Sequence, residues 1–104
     1  IKKLVRSISP NHLDIMVEIG PGDGAMTKLI LPSVKRMYLI EKDLDLVDEL
    51  AVIIGKYKNS NLIIQDVLKY DFSVLDKPFR VIGNLPYNYQ LHKSKNRGSR
   101  YNGL

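Results

Sequence analysis

Asn84-Leu85-Pro86-Tyr87 puts an amide, a rigid ring and an aromatic face within four residues, and that set suits one kind of chemistry. The exocyclic amine of a purine is a weak nucleophile because its lone pair is delocalised into the ring. Two carbonyl acceptors, the Asn84 side chain and a backbone C=O held in place by Pro86, can take the amine's two N–H groups and favour a more tetrahedral, reactive nitrogen. Tyr87 can stack on the face of an unpaired or flipped-out base. The same four residues also fit a plain turn, in which Asn84 caps a loop, Pro86 stiffens it and Tyr87 covers the core edge. The elements upstream decide between the two.

Those elements read as an α/β sheet. Phe79-Arg80-Val81-Ile82-Gly83 is an apolar run ending in a glycine, a buried strand whose C-terminal edge would carry the amide site. Earlier, Ile15-Met16-Val17-Glu18-Ile19 runs into Gly20-Pro21-Gly22-Asp23-Gly24-Ala25 and then into a helical pattern at Met26, Leu29 and Ile30. A strand emptying into a glycine turn that opens a helix is the first unit of a nucleotide-binding sheet. Gly20, Gly22 and Ala25 fit the dinucleotide pattern, whereas Gly20, Gly22 and Gly24 fit the tighter turn of adenosylmethionine enzymes. Glu18 tilts the choice, since a carboxylate in the first strand repels a pyrophosphate but supports a loop that faces a cationic ligand. A glycine turn with no ligand is the bland alternative.

Pro32 closes the first crossover helix, and Arg36 to Glu41 reads as the second strand. Glu41 lies 21 positions after Gly20, where an acid can hold a ribose diol by paired hydrogen bonds. Its alternative is a surface acid capping the next helix, a role that Asp43 fills better. From Leu44 to about Ile54 the pattern is an amphipathic, structural helix, with Asp45, Asp48 and Glu49 early in it. Leu62-Ile63-Ile64-Gln65 is a third buried strand. Asp66 follows, beside where an adenine ring would lie if Glu41 holds the ribose; it can accept from the adenine amine while Val67 and Leu68 wall the ring, or it can cap the following turn. Tyr70, Phe72, Val74 and Leu75 are expected as core or loop anchors. At the start of the chain, Leu4, Val5 and Ile8 fall at helical spacing, a short amphipathic helix that Pro10 ends.

Composition sets the outer bounds. At 104 residues the chain is one domain at most. Cysteine is absent, which removes disulfides and thiolate metal sites. His12 and His92 have no partners at ligand spacing, so no metal is expected. No run reaches the length of a membrane span and no signal-peptide pattern opens the chain, so a cytoplasmic protein is expected. The net charge of +5 is concentrated at one end: of 16 basic residues, Lys93, Lys95, Arg97 and Arg100 fall after residue 90, where there is no acid. The first 90 residues therefore carry 12 basic side chains against 11 acids. The body is nearly neutral, and the basic tail suits phosphate contacts or simple solvation.

Four stretches now stand in order on one framework: Glu18-Ile19-Gly20-Pro21-Gly22-Asp23-Gly24, Ile40-Glu41-Lys42-Asp43, Gln65-Asp66-Val67-Leu68 and Gly83-Asn84-Leu85-Pro86-Tyr87-Asn88. Together they resemble the ribosomal RNA adenine dimethyltransferase family. The resemblance implies a Rossmann-like S-adenosylmethionine-dependent methyltransferase that places two methyl groups on N6 of each of two neighbouring adenines near the 3′ end of small-subunit ribosomal RNA. It implies that Gly20 and Gly22 shape the methionine side of the cofactor pocket with Glu18 behind them, that Glu41 binds the ribose and that Asp66 binds the cofactor adenine. Asn84, Pro86 and Tyr87 would form the catalytic target-base site, Asn84 also lying near the cofactor. Methyl transfer would be direct and in line, promoted by positioning. The erythromycin-resistance methylases of large-subunit ribosomal RNA share this layout, and Leu85 favours the small-subunit branch.

The resemblance covers residues 1–90 as a partial cofactor-binding domain and leaves 91–104 as a basic, disordered tail. The family's Gln-Asn/His-Phe-Leu element has no match, nor do the small hydroxyl residues and apolar helix that follow Asn88 in the family, nor the later strands and small helical domain used for RNA docking. The expected sheet order is third, second, first, fourth, with the fourth strand an unprotected edge. A fragment holding the N-terminal part of the sheet, inactive alone, is the resulting expectation. Two rivals remain. One is a nicotinamide or flavin oxidoreductase built on Gly20, Gly22 and Ala25, which leaves Asn84 to Tyr87 unexplained; the other is a non-catalytic RNA-binding or ribosome-assembly module of the same fold.

Overall fold

Five parallel strands in the order β3-β2-β1-β4-β5 make up the sheet. The computed structural model describes residues 8–83 and 100–101. In chain order the elements are β1 (Ile15–Ile19), α1 (Ala25–Ile30), β2 (Arg36–Glu41), α2 (Leu44–Ile54), β3 (Ser60–Ile64), β4 (Arg80–Gly83) and β5 (Arg100–Tyr101), with 3₁₀ turns at Leu31–Ser33, Val67–Lys69 and Phe72–Val74. Residues 1–7 of the expected first helix lie outside the described residues, as do Asn84 to Tyr87 and most of the basic tail.

Side-chain alternation along the strands assigns each residue to one of two layers. Met16, Met37, Leu39, Leu62 and Ile82 face the helices and pack with Ile30, Leu31 and Leu50. Val17, Ile19, Ile40, Ile63 and Val81 face the other way, where Phe72, Leu75 and Phe79 cover them. Phe72 and Phe79 stack with ring centroids 5.9 Å apart. Because both faces are covered, the central strands are almost wholly apolar, as parallel sheets require.

Local signals fix the connections. Asp43 caps α2, its carboxylate accepting from the Asp45 N–H at 2.9 Å. Asn59 donates to the Leu31 and Val34 carbonyls at 3.2 and 3.0 Å, tying the turn before β3 to the turn before β2. Arg80 enters β4 paired with Asp14 at 2.9 Å and donates to the carbonyls of Ile8 and Ser9, so β4 is clamped to the segment that leads into β1.

One expectation is corrected. The fourth strand is not a bare edge, because Arg100 and Tyr101 pair in parallel with Arg80 and Val81. Two residues with no apolar run around them extend the ladder, because pairing here uses backbone groups and needs no core-forming side chains.

Candidate functional site

The alternation that builds the core also aims the acids. Two residues beyond Met16 and Leu39 respectively, Glu18 on β1 and Glu41 on β2 project to the same helix-bearing layer. Glu18 is opposite Leu39 in the register, so the two acids lie diagonally across adjacent strands at their C-terminal ends. Both are buried, at 3% and 6% exposure.

Glu41 is held from two sides. One carboxylate oxygen accepts from the Gly22 N–H at 3.2 Å and the other from the Asp43 N–H at 3.0 Å. The side chain therefore links the glycine turn to the loop that opens α2. A carboxylate offers about four acceptor sites, so two remain for a ligand's hydroxyls. A cap for α2 was the alternative role for Glu41; Asp43 caps that helix instead.

Glu18 lies beneath the turn with its Oε1 accepting from the Thr27 hydroxyl at 2.5 Å. Burial pushes its carboxyl up to about 7; the Thr27 bond opposes that rise, and the negative charges of Asp23 and Glu41 add to it. Near neutral pH the group sits between its two protonation states. Three acids around one glycine turn disfavour a pyrophosphate and favour a cation. Among the described residues no group of His, Cys, Asp or Glu is arranged to hold a metal ion.

The backbone of the turn uses the freedom of its glycines. Gly20, Gly22 and Gly24 all have positive φ, and Ala25 is simply the first residue of α1. A Cβ on Gly24 would come within 2.5 Å of the Ile53 side chain, so the third glycine lets α2 close against the turn. All three glycines of the tighter Gly20-x-Gly22-x-Gly24 pattern thus serve the turn's backbone.

Asp66 follows β3 by two residues and is half-buried. Its Oδ1 accepts from the Leu68 N–H at 3.0 Å, capping the 3₁₀ turn Val67–Lys69. The cap uses one oxygen and leaves Oδ2 for a ligand. Gln65 joins this segment to the site through its N–H, which donates to the Glu41 carbonyl at 3.0 Å. Glu18, Gly20, Gly22, Glu41 and Asp66 are thus brought to one edge of the sheet. Asn84, Pro86 and Tyr87 lie outside the described residues, but the strand leading to them is placed: Gly83 pairs with Ile19, immediately before the glycine turn.

Thr27 is the site residue that the sequence alone did not reveal. It sits in the apolar pattern of α1 and has no motif of its own. Its signal was indirect: an acid inside an apolar strand needs a donor, and the facing helix offers one hydroxyl.

Comparison with known proteins gives a consistent result. The profile of the ribosomal RNA adenine dimethylase family matches residues 1–92. A ribosomal RNA small subunit methyltransferase A from Coxiella burnetii is 44% identical over 90 residues, which are 85% of this chain and 35% of the relative. The chain thus spans about a third of the length of the curated relatives it matches. A solved dimethyladenosine transferase from Plasmodium falciparum superposes with a TM-score of 0.72 at 26% identity, covering 88% of this chain and 33% of that one. The 23S rRNA methyltransferase ErmE gives a TM-score of 0.73 at 19% identity over 89% of this chain and 37% of its own, a likeness of fold.

Proposed function

The chain belongs to the ribosomal RNA adenine dimethylase family, and on that premise we propose that it carries the S-adenosylmethionine site of an enzyme that dimethylates adenine N6 in small-subunit ribosomal RNA. The observation that carries the proposal is the two-sided hold on Glu41. Its oxygens are fixed by the Gly22 and Asp43 N–H groups with acceptor capacity to spare, which suits a ribose diol. Glu18 behind the turn supplies negative charge for a ligand that is cationic at its other end, and Asp66 can accept from an adenine amine. The donor set therefore fits the cofactor.

When bound, S-adenosylmethionine supplies an electrophilic methyl group on a sulfonium. The chain's own part is to bind and orient. Glu41 and Asp66 fix the adenosine half, and Glu18 balances the charge near the turn. β4 ends at Gly83 beside that turn, and Asn84, Pro86 and Tyr87 follow it in sequence. In this proposal Asn84 and a backbone carbonyl beside Pro86 accept the target amine's N–H groups, and Tyr87 stacks on the base. Rate enhancement comes from orientation, with no covalent intermediate. The proposed substrate partner is ribosomal RNA of the small subunit, with the cytoplasm as the expected compartment; the name of the Coxiella burnetii relative supports the small subunit over the large. Among the described residues no helix is long and apolar enough to cross a membrane.

Melting curves with S-adenosylhomocysteine and with NAD test the assignment. At a hundredfold excess over its dissociation constant a ligand stabilises by about 2.7 kcal/mol, so adenosylhomocysteine is expected to raise Tm by several degrees and NAD to leave it unchanged. A rise with NAD alone, or with neither ligand, contradicts the proposal. Binding without methyl transfer to small-subunit RNA would make the chain a non-catalytic module of the same fold.

A further inference from the structure

Thr27 is fully buried on α1, and its hydroxyl donates to Glu18 Oε1 at 2.5 Å, across nine residues of sequence. A helical threonine ordinarily satisfies its hydroxyl on the carbonyl one turn earlier. Here it is committed to a strand carboxylate instead. The groups around Glu18 come from every neighbouring element. Asp23 in the glycine turn and Glu41 on β2 are acids, and α1 brings the neutral Thr27 hydroxyl. β4 places Ile82 opposite Glu18, and α2 packs Leu50 and Ile53 against the turn at Gly24. Among the described residues no cation acts on the carboxylate, and positive charge is what a sulfonium and an ammonium bring.

We propose that Thr27 is a positioning residue for cofactor binding: its hydroxyl fixes the Glu18 carboxylate beneath the glycine turn as the counter-charge of a cationic ligand, and so brings the pH range over which affinity for that ligand rises down toward neutrality. The proposal rests on the S-adenosylmethionine assignment above. Binding of the cation drives Glu18 from carboxylic acid to carboxylate, and the displaced proton passes to the buffer. Burial already holds Glu18 near half-ionised at neutral pH, so the linkage operates in the physiological range. The Thr27 hydrogen bond favours the ionised form, and its loss makes Glu18 harder to ionise.

The test is calorimetric titration of the full chain at about pH 5.5, 6 and 7, below the range in which the ligand's own ammonium titrates, in two buffers of different ionisation enthalpy. S-adenosylmethionine is compared with methylthioadenosine, which keeps the adenosine and lacks both positive charges. S-adenosylmethionine is expected to release protons and to bind about tenfold more tightly at about pH 7 than at about pH 5.5, while methylthioadenosine shows neither effect. Thr27→Val, close to the same shape without the hydroxyl, is expected to weaken S-adenosylmethionine about fivefold at pH 7, to move its profile to higher pH and to spare methylthioadenosine. Thr27→Ser restores the wild-type profile. A flat wild-type profile with no proton release, or a Thr27→Val loss equal for both ligands, overturns the proposal while leaving the cofactor site standing. Failure of both ligands to bind wild type overturns the cofactor assignment, and this proposal with it.

Discussion

Neutralising Glu18 separates what its burial costs from what it contributes to binding. Its folded-state carboxyl is raised from 4.5 to about 7, so between those values the folded chain holds a proton that the unfolded chain has lost. The associated stability is fully present below the unfolded value and is lost as pH rises through about 7, a change of roughly 3 kcal/mol for a shift of this size. Glu18→Gln keeps the acceptor oxygen for Thr27 and removes the titration. The variant is expected to lose less stability than wild type between pH 5 and pH 8, as read by urea unfolding at each pH. Equal pH slopes for the two proteins would show that Glu18 is not perturbed by burial. At this scale the sequence was informative where a residue contradicts its surroundings. Glu18 interrupts an apolar strand and Glu41 ends one, so both stand out as acids with a task. Thr27 contradicts nothing, because a threonine in a short helix is ordinary, and its role appears only when the fold sets it against Glu18.

The glycines at the sheet edge act at the scale of elements, and two of them differ in kind. A Cβ on Gly83 would lie 2.2 Å from the Ile19 carbonyl oxygen, a backbone atom that cannot move without breaking the pairing of β1 and β4. A Cβ on Gly24 would meet the end of the Ile53 side chain at 2.5 Å, which can swing away. Both positions have positive φ, which costs a non-glycine residue about 1–2 kcal/mol on its own. Gly83→Ala is therefore expected to destabilise by about 3 kcal/mol or more and Gly24→Ala by about 2. Denaturant titration of both variants would show the order, and a Gly24→Ala loss larger than that of Gly83→Ala would contradict this account of the edge. Strand and helix positions were largely legible: β1, β2 and α2 fall at the expected residues because apolar period and cap residues agree. β3 starts at Ser60, before the expected Leu62, because its register with β2 pairs the polar Ser60 and Asn61 with Met37 and Tyr38. β5 was not legible, since a two-residue strand carries no periodicity.

At the scale of the whole molecule, the sheet order β3-β2-β1-β4 followed from the family resemblance, and its fifth strand did not. Alternation brings Glu18 and Glu41 to one layer, and the parallel ladder gathers the ends of β1, β2 and β3 at one edge, so the proposed cofactor half of the site follows from topology rather than from any single motif. The proposed target-base half rests on sequence alone, at Asn84, Pro86 and Tyr87, which lie outside the described residues. Calorimetric titration of the 104-residue chain with S-adenosylmethionine, beside Glu41→Ala and Asp66→Ala, decides whether this edge of the sheet holds the cofactor. One saturable site is predicted, weakened about tenfold or more by Glu41→Ala, which removes the proposed acceptor for the ribose diol, and by a smaller factor by Asp66→Ala. Absence of binding by a chain that melts cooperatively, or binding indifferent to Glu41→Ala, would contradict it.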